Sequence, residues 1–212
     1  MEIYDNVRET REGYNSIASR YFNKWHKLDF FQKLHLERFA DRVGNGARIL
    51  DAGCGTGKDS HYLCQIGLNV VGLDISESML RKSREVDCDG RISVVLGDMR
   101  YTPFADSTFR GVWTNSALVH LQNKRKALEE FNRLLEPEGM LHICVQNGEH
   151  PFYVQKQNES GDTKRMYAFY DKRHWFYPNL PELKTDLTIV GFKPSWLNSR
   201  KARWLRVYAR KK

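Results

Sequence analysis

The chain has 212 residues, 41% of them hydrophobic, which fits one globular domain with a core of its own. No apolar run approaches the roughly 20 residues of a membrane helix, and the charged opening MEIYDNVRETREGY lacks the apolar stretch of a secretion signal, so a soluble cytoplasmic protein with no membrane partner is the expectation. The formal net charge is +8, but seven basic residues and no acid lie from Arg200 onward, leaving +1 over residues 1–199, which weakens a nucleic-acid reading of the body.

The elements follow in chain order. Apolar residues at helical spacing (Tyr14, Ile17, Ala18, Tyr21, then Phe30, Leu34, Phe39) predict helices from Arg11 to Trp25 and from Lys27 to Val43, the second closed by Gly44 and Gly46. An alternation comes next: strand 47–53, helix 58–67, strand 69–74, helix 76–86 with Ser76 as N-cap, strand 92–98 and strand 109–116. An amphipathic helix over 124–136, stopped by Pro137, leads to a strand over 140–146. Alternating strands and helices with apolar strands mean an α/β fold, Rossmann-like and doubly wound, around a mostly parallel sheet. A polar stretch (147–165) follows, then a short helix from Pro181 to Val190 closed by Gly191. Strands 193–199 and 203–210 are joined too briefly for a parallel crossover, so they form an antiparallel terminal hairpin.

The stretch RILDAGCGTGKDS (48–60) carries the chemistry. A glycine turn between strand and helix lets a ligand approach the backbone, and the helix start presents free N–H groups. A triphosphate loop is excluded, because Asp59 stands where Ser or Thr would follow Lys58. The dinucleotide pattern GxGxxG fails as well: Lys58 or Ser60 takes the place of the last glycine. Three acids at successive strand ends offer another match. Asp51 suits an ammonium group, Asp74 a ribose diol, and Asp98 beside Met99 an adenine amine and ring. Together they complement S-adenosyl-L-methionine. The four cysteines (Cys54, Cys64, Cys88, Cys144) are scattered, with no metal-ligand spacing; reduced thiols and no metal are expected.

With ILDAGCGTG, VVGLD, VLGDM, FRGVWTNSAL, LLEPEGMLHI and VGF in place, the chain from about Tyr14 onward resembles the class I S-adenosylmethionine-dependent methyltransferases, in particular the methyltransferase type 11 group. The resemblance implies one domain with a seven-stranded sheet whose last strand is antiparallel. Its parts would be cap helices (1–45), a cofactor-binding core (46–147), a variable substrate segment (148–180), and a last helix with the terminal hairpin (181–212). It implies that Asp51, Gly53 and Gly55, with Cys54 as a small turn residue, line the methionine part. Asp74 would take the ribose, with Ile75 and Met79 packed nearby, and Asp98 and Met99 the adenine. Asn115 would lie near the methyl. The family's YxxxAxxY cover helix is matched by YNSIASRY, which puts Tyr14 and Tyr21 at the cofactor or substrate, where an aromatic face suits a sulfonium.

His120 stands where a general base, a substrate contact or a buried structural histidine would fit. The [DNS]PP[YF] motif of nucleobase and glutamine methyltransferases is absent, since the place reads NSAL, and Cys144 stands alone, without the second cysteine of a pyrimidine-carbon methyltransferase. Acceptor choice falls to the N-terminal helices and to segment 147–180, whose Tyr153, Tyr167, Phe169, Tyr170, His174 and Trp175 are interleaved with Lys164, Arg165, Lys172 and Arg173. That composition suits a flat or acidic small molecule, which is the expected acceptor, or stacking on RNA bases. An RNA (tRNA) methyltransferase and a cofactor-binding module without catalysis are the alternatives. A nicotinamide enzyme ranks below both, and no feature selects an oligomeric state.

Overall fold

The computed structural model describes residues 6–86, 92–159, 166–168, 173–196 and 202–212. Cys88, Lys164, Arg165, Phe169, Tyr170, Lys172, Arg200 and Lys201, singled out above, lie outside the described residues. The chain opens with α1 (Asn6–Trp25) and α2 (Phe30–Val43). α2 starts on a reciprocal cap: the Asp29 side chain accepts from the Gln32 N–H, and the Gln32 side chain accepts from the Asp29 N–H. Leu36, Phe39 and Val43, spaced three and four apart, are its buried stripe.

The alternation then runs β1 (Arg48–Ala52), α3 (Lys58–Gln65), β2 (Asn69–Asp74), α4 (Glu77–Val86), β3 (Ser93–Leu96) and β4 (Phe109–Asn115). Ser76 caps α4 as its residue type predicts, its hydroxyl accepting from the Met79 N–H and donating to Asn15 Oδ1 of α1. After β4 come α5 (Arg125–Leu134), β5 (Leu135–Gln146), α6 (Pro151–Glu159), β6 (Met166–Ala168), β7 (Arg173–Trp175), α7 (Leu180–Ile189), β8 (Phe192–Trp196) and β9 (Trp204–Lys211). Seven strands make one sheet in the order β3-β2-β1-β4-β5-β9-β8, parallel except for β9, which runs antiparallel to both of its neighbours. The strand order reverses between β1 and β4, whose carboxyl ends therefore flank the crevice where doubly wound sheets hold ligands.

Three local expectations change. α5 ends at Leu134, earlier than Glu136, and β5 begins at Leu135 and passes through Pro137. Pro137 pushes the residue before it out of helical geometry, so the turn preceding it is already extended. A bulge with Glu138 at φ 61° absorbs the extra length between the Phe109–Leu135 and Gly111–Met140 pairings. Within the polar stretch 147–165, for which no element was predicted, α6 starts on Pro151, a position where the missing N–H costs nothing, although its apolar residues have no helical period. β6 and β7 form a separate antiparallel pair that no alternation announced.

One face of the sheet packs Leu50, Ala52, Leu73, Val112, Leu141, Ile143, Leu205 and Val207 together with α5 and α7. The other packs Ile49, Val70, Trp113 and Met140 against Leu36, Phe39 and Val43 of α2 and Leu63 of α3. α2 sits close because β4 carries Gly111 there: a Cβ would lie 2.7 Å from both Phe39 Cζ and Val43 Cγ1. Gly111→Ala is expected to cost about 1–3 kcal/mol of stability, seen as a lower urea midpoint with an unchanged slope. Adding Phe39→Leu, which trims the obstructing ring, should recover part of the loss; a double variant as unstable as the sum of the two would contradict this packing.

Candidate active site at the switch point

The turn after β1 is left-handed at Gly53, with φ 80°, and a Cβ there would lie 2.2 Å from Ala117 Cβ and 3.2 Å from Met99 Cε. Only glycine fits, and its backbone forms part of a cavity wall. Asp74, at the end of β2, holds this turn in place. Its Oδ2 accepts from the Gly55 N–H at 2.8 Å, and its Oδ1 accepts from the Ser76 N–H at 2.8 Å. Burial raises the Asp74 pKa, and the backbone N–H groups of Ser76, Gly55 and Ile75 oppose that shift. Asp98 follows β3, with both oxygens gripped by the Arg100 guanidinium, at 2.6 Å for the closest contact.

These residues border a cavity of about 100 Å³ whose apolar walls include Leu73, Ile75, Met79, Met99 and Leu121. A second and larger cavity, of about 770 Å³, lies over the ends of β1, β4, β5 and β9. Tyr14, Tyr21, Gly53, Gly55, Asn115, Ser116 and His120 border both, so the two chambers meet there. Every cofactor-binding or catalytic residue proposed from the sequence lies on one chamber or both; of the residues proposed for acceptor choice, Arg173 and Trp175 line the larger, and Tyr153 and His174 line neither. Asp74, Ile75, Met79, Asp98 and Met99 face the smaller, Asp51 and Cys54 the larger, and Tyr14, Tyr21, Gly53, Gly55, Asn115 and His120 the junction.

Asp51 is fully inside and accepts from the Ser60 hydroxyl at 2.5 Å. Its pKa is raised, first by burial and then by the neighbouring carboxylate of Asp59. Asp59 was visible in the sequence only as the residue that rules out a triphosphate loop. In the fold it is buried, and its Oδ2 accepts from Trp113 Nε1 at 2.9 Å and Asn115 Nδ2 at 2.8 Å. Its Oδ1 has no hydrogen-bond partner among the described residues, the Lys58 ammonium standing 4.0 Å away. Cys54 and Cys144 are not activated thiols: burial pushes that of Cys144 up to about 11, and that of Cys54 well above its ordinary value.

His120 sits on a short 3₁₀ turn, Leu118–His120. Its Nδ1 lies 2.5 Å from the His174 carbonyl oxygen of β7, which can only accept, so Nδ1 carries the proton. Nε2 is then the acceptor for the Tyr14 hydroxyl at 2.7 Å. Burial lowers the His120 pKa to about 4, with Arg173, His174 and Lys124 adding to the effect. The Tyr14 phenol is itself pushed up, by burial first. Its ring meets Tyr21 edge-on at 5.9 Å and has the Arg173 guanidinium 5.0 Å from its centroid. α1 is latched at the same place by Asn6 Nδ2 donating to the His120 carbonyl at 2.8 Å, by the His174 N–H donating to Thr10 Oγ1 at 3.3 Å, and by His174 Nε2 against the Glu9 carboxylate.

In its seven-stranded sheet with one antiparallel strand, its glycine turn and its strand-end acids, this chain is similar to the class I S-adenosylmethionine-dependent methyltransferases. Residues 50–143 match the family model described as a methyltransferase domain. The malonyl-[acyl-carrier protein] O-methyltransferase of Erwinia pyrifoliae is 37% identical over 129 residues, 58% of this chain and 46% of that protein. A demethylmenaquinone methyltransferase of Renibacterium salmoninarum is 37% identical over 147 residues, covering 67% and 56%. Three of the curated relatives have only 38–46% of their own length spanned by this chain. Among solved structures, the Burkholderia thailandensis 1,6-didemethyltoxoflavin-N1-methyltransferase, with 1,6-didemethyltoxoflavin and S-adenosylhomocysteine bound, superposes with a TM-score of 0.76 at 20% identity, over 100% of this chain and 91% of that one.

The depressed pKa of His120 makes a prediction about acid stability. Below about pH 6.5 an unfolded imidazole takes up a proton that the folded His120 refuses until about pH 4. The unfolded state then binds more protons, so stability present at neutral pH is lost as the pH falls through that window, by up to about 3 kcal/mol. His120→Gln is expected to flatten this part of the curve of melting temperature against pH between 7 and 4.5. Parallel curves for the two proteins would show that His120 is not held neutral.

Proposed function

We propose that this protein transfers a methyl group from S-adenosylmethionine to a small-molecule acceptor, with the cofactor along the smaller chamber and across the junction and the acceptor in the larger one. The observation that carries this reading is the junction itself: Tyr14, Tyr21, Asn115 and Ser116 border both chambers, so groups held in each meet in one place. The residues present fit the cofactor. Two adjacent buried carboxylates, one with an oxygen lacking any hydrogen bond, call for a cation such as the methionine ammonium. Asp74 is oriented by two backbone N–H groups and offers its remaining lone pairs to the ribose hydroxyls. Ile75, Met79 and Met99 give the apolar walls a flat adenine needs, with Asp98 held beside them by Arg100.

When bound, the cofactor supplies a methyl group on a sulfonium and departs as a neutral thioether. The protein's work is therefore alignment and exclusion of water. α1 does both, because its latch lays Tyr14 and Tyr21 over the junction. His120 is a positioning residue here, its free nitrogen occupied by Tyr14.

The basic C-terminal segment does not favour the RNA alternative, because its described side chains are dispersed. The Arg203 guanidinium lies 4.4 Å from the Phe152 ring centroid, Arg206 lines the larger chamber, Arg210 pairs with Glu138, and Lys211 donates to the Leu135 carbonyl. A cytoplasmic setting belongs to the same reading: Cys54, Cys64 and Cys144 are free thiols, and no described helix is long and apolar enough to cross a membrane.

Calorimetric titration with S-adenosylhomocysteine and, separately, NAD tests the proposal. S-adenosylhomocysteine is expected to bind, and Asp74→Ala to weaken it about tenfold to a hundredfold, the range for hydrogen bonds to a charged group. Binding of NAD in its place would overturn the cofactor assignment.

A further inference from the structure

The larger chamber carries information about the acceptor that the cofactor site does not. Its floor is one face of the sheet. The pairings align Trp113, His142 and Tyr208 in one row across β4, β5 and β9, then Asn115, Cys144 and Arg206, then Gln146 and Trp204. In a doubly wound sheet such a face is ordinarily apolar throughout. Here the apolar packing ends at the first row, and beyond it the residues are polar, cationic or amphipathic. α1 and α2 roof this floor with Tyr21, Lys24, Trp25, Phe31 and His35, and β7 adds Arg173 and Trp175.

Three features describe an occupant. The first is shape: tryptophans from α1, β4, β7 and β9 surround the space, and Trp25 and Phe31 form an aromatic rim that is 51% and 68% exposed. The second is charge. The lining carboxylates are Asp29, Asp51 and Asp59; Asp51 and Asp59 belong to the glycine-turn end, and Asp29 is engaged as the cap of α2. The end over β5, β7 and β9 instead presents Arg206 and Arg173. The third is hydrogen bonding. His142 is 1% exposed, stacks flat on Trp113 at 3.7 Å, and has no hydrogen-bond partner among the described residues at either ring nitrogen; Gln146 Oε1, in the same chamber, has none among them either. Burial, with nearby His35, Arg206 and Arg42, keeps His142 neutral, so it offers one donor and one acceptor.

We propose that the larger chamber selects a flat aromatic acid, its anionic group met by the arginines at the β9 end and its hydroxyl or N–H groups by His142 and Gln146. This rests on the methyltransferase reading for the chamber's role, though not for its chemistry. Planar rings match the aromatic walls, a guanidinium suits a carboxylate, and buried groups without partners penalise any ligand that leaves them so.

The test uses the full chain saturated with S-adenosylhomocysteine, with tryptophan fluorescence and calorimetry as readouts. The probes are 1-hydroxy-2-naphthoate, its neutral relative 1-naphthol, and cyclohexanecarboxylate as an anion without a ring system. The hydroxynaphthoate is expected to bind about tenfold or more tightly than either control. Arg206→Ala should remove its advantage over naphthol, Arg206→Lys should keep part of it, and S-adenosylhomocysteine affinity should be unchanged in both. Equal binding of acid and naphthol, or an advantage that survives Arg206→Ala, would overturn the proposal. Its failure is separable from that of the cofactor assignment. If S-adenosylhomocysteine does not bind, the methyltransferase reading falls and the probes are still scored on the free protein. If it binds and the acid has no advantage, this inference alone falls.

Discussion

Two carboxylates buried side by side are the constraint around which the rest of the site is arranged. Asp51 ends β1 and Asp59 opens α3, and neither is open to solvent. Burying like charges together is costly unless donors and a cation surround them. The donors come from three elements: Ser60 from α3, and Trp113 and Asn115 from β4. Meeting that need ties the first strand to the fourth across the switch point and to the helix between the glycine turn and β2. The same pair leaves an oxygen of Asp59 without a hydrogen bond among the described residues, on the side of the larger chamber and 4.0 Å from the Lys58 ammonium.

The cover over the site is held by polar contacts. α1 is joined to His120 and His174 by Asn6, Glu9, Thr10 and Tyr14, and to the start of α4 by Asn15. Its own apolar contribution is Val7 in the main core and a small cluster in which Ile17 and Ala18 meet Met79 of α4, with Tyr14 and Tyr21 against it. A helix fastened mainly by hydrogen bonds at one end of a rigid sheet is suited to admitting and covering a ligand, since exchanging those bonds for water costs far less than breaking a packed core. The imidazole of His120 belongs to this fastening: its tautomer is set by one backbone carbonyl, and its remaining lone pair serves Tyr14.

The sheet supports both chambers by a simple alternation. On β5 and β9, Leu141, Ile143, Val145, Leu205 and Val207 point to the core shared with α5 and α7, while His142, Cys144, Gln146, Trp204 and Arg206 point to the larger chamber. Strand β9 accomplishes this although it runs against its neighbours, because antiparallel pairing preserves the period of two. The terminal basic residues thus divide between chamber, surface pairs and ring contacts, which a count of charge does not reveal.

Much of this was legible in the residues. The order of strands and helices, the glycine turn and the acids at the ends of β1, β2 and β3 follow from period and punctuation, because those signals act over a few neighbouring residues. The polar face of β5 was not read from the sequence, although HICVQ alternates within a strand that otherwise looks buried. Nor was Asp59, because an acid in the first turn of a helix is common; only the folded approach of Trp113 and Asn115, more than fifty residues away, makes it a buried site residue. The β6–β7 pair escaped for a similar reason, three-residue strands being too short to show a period. The role of His120 was decided last, since it depends on Tyr14, 106 residues before it, and on a carbonyl 54 residues after it. From the residues alone came the layers, the glycine turn and the acids at the strand ends, which are properties of local pattern. Tertiary structure alone decided which lone pairs are already spoken for, because that depends on side chains meeting from distant parts of the chain.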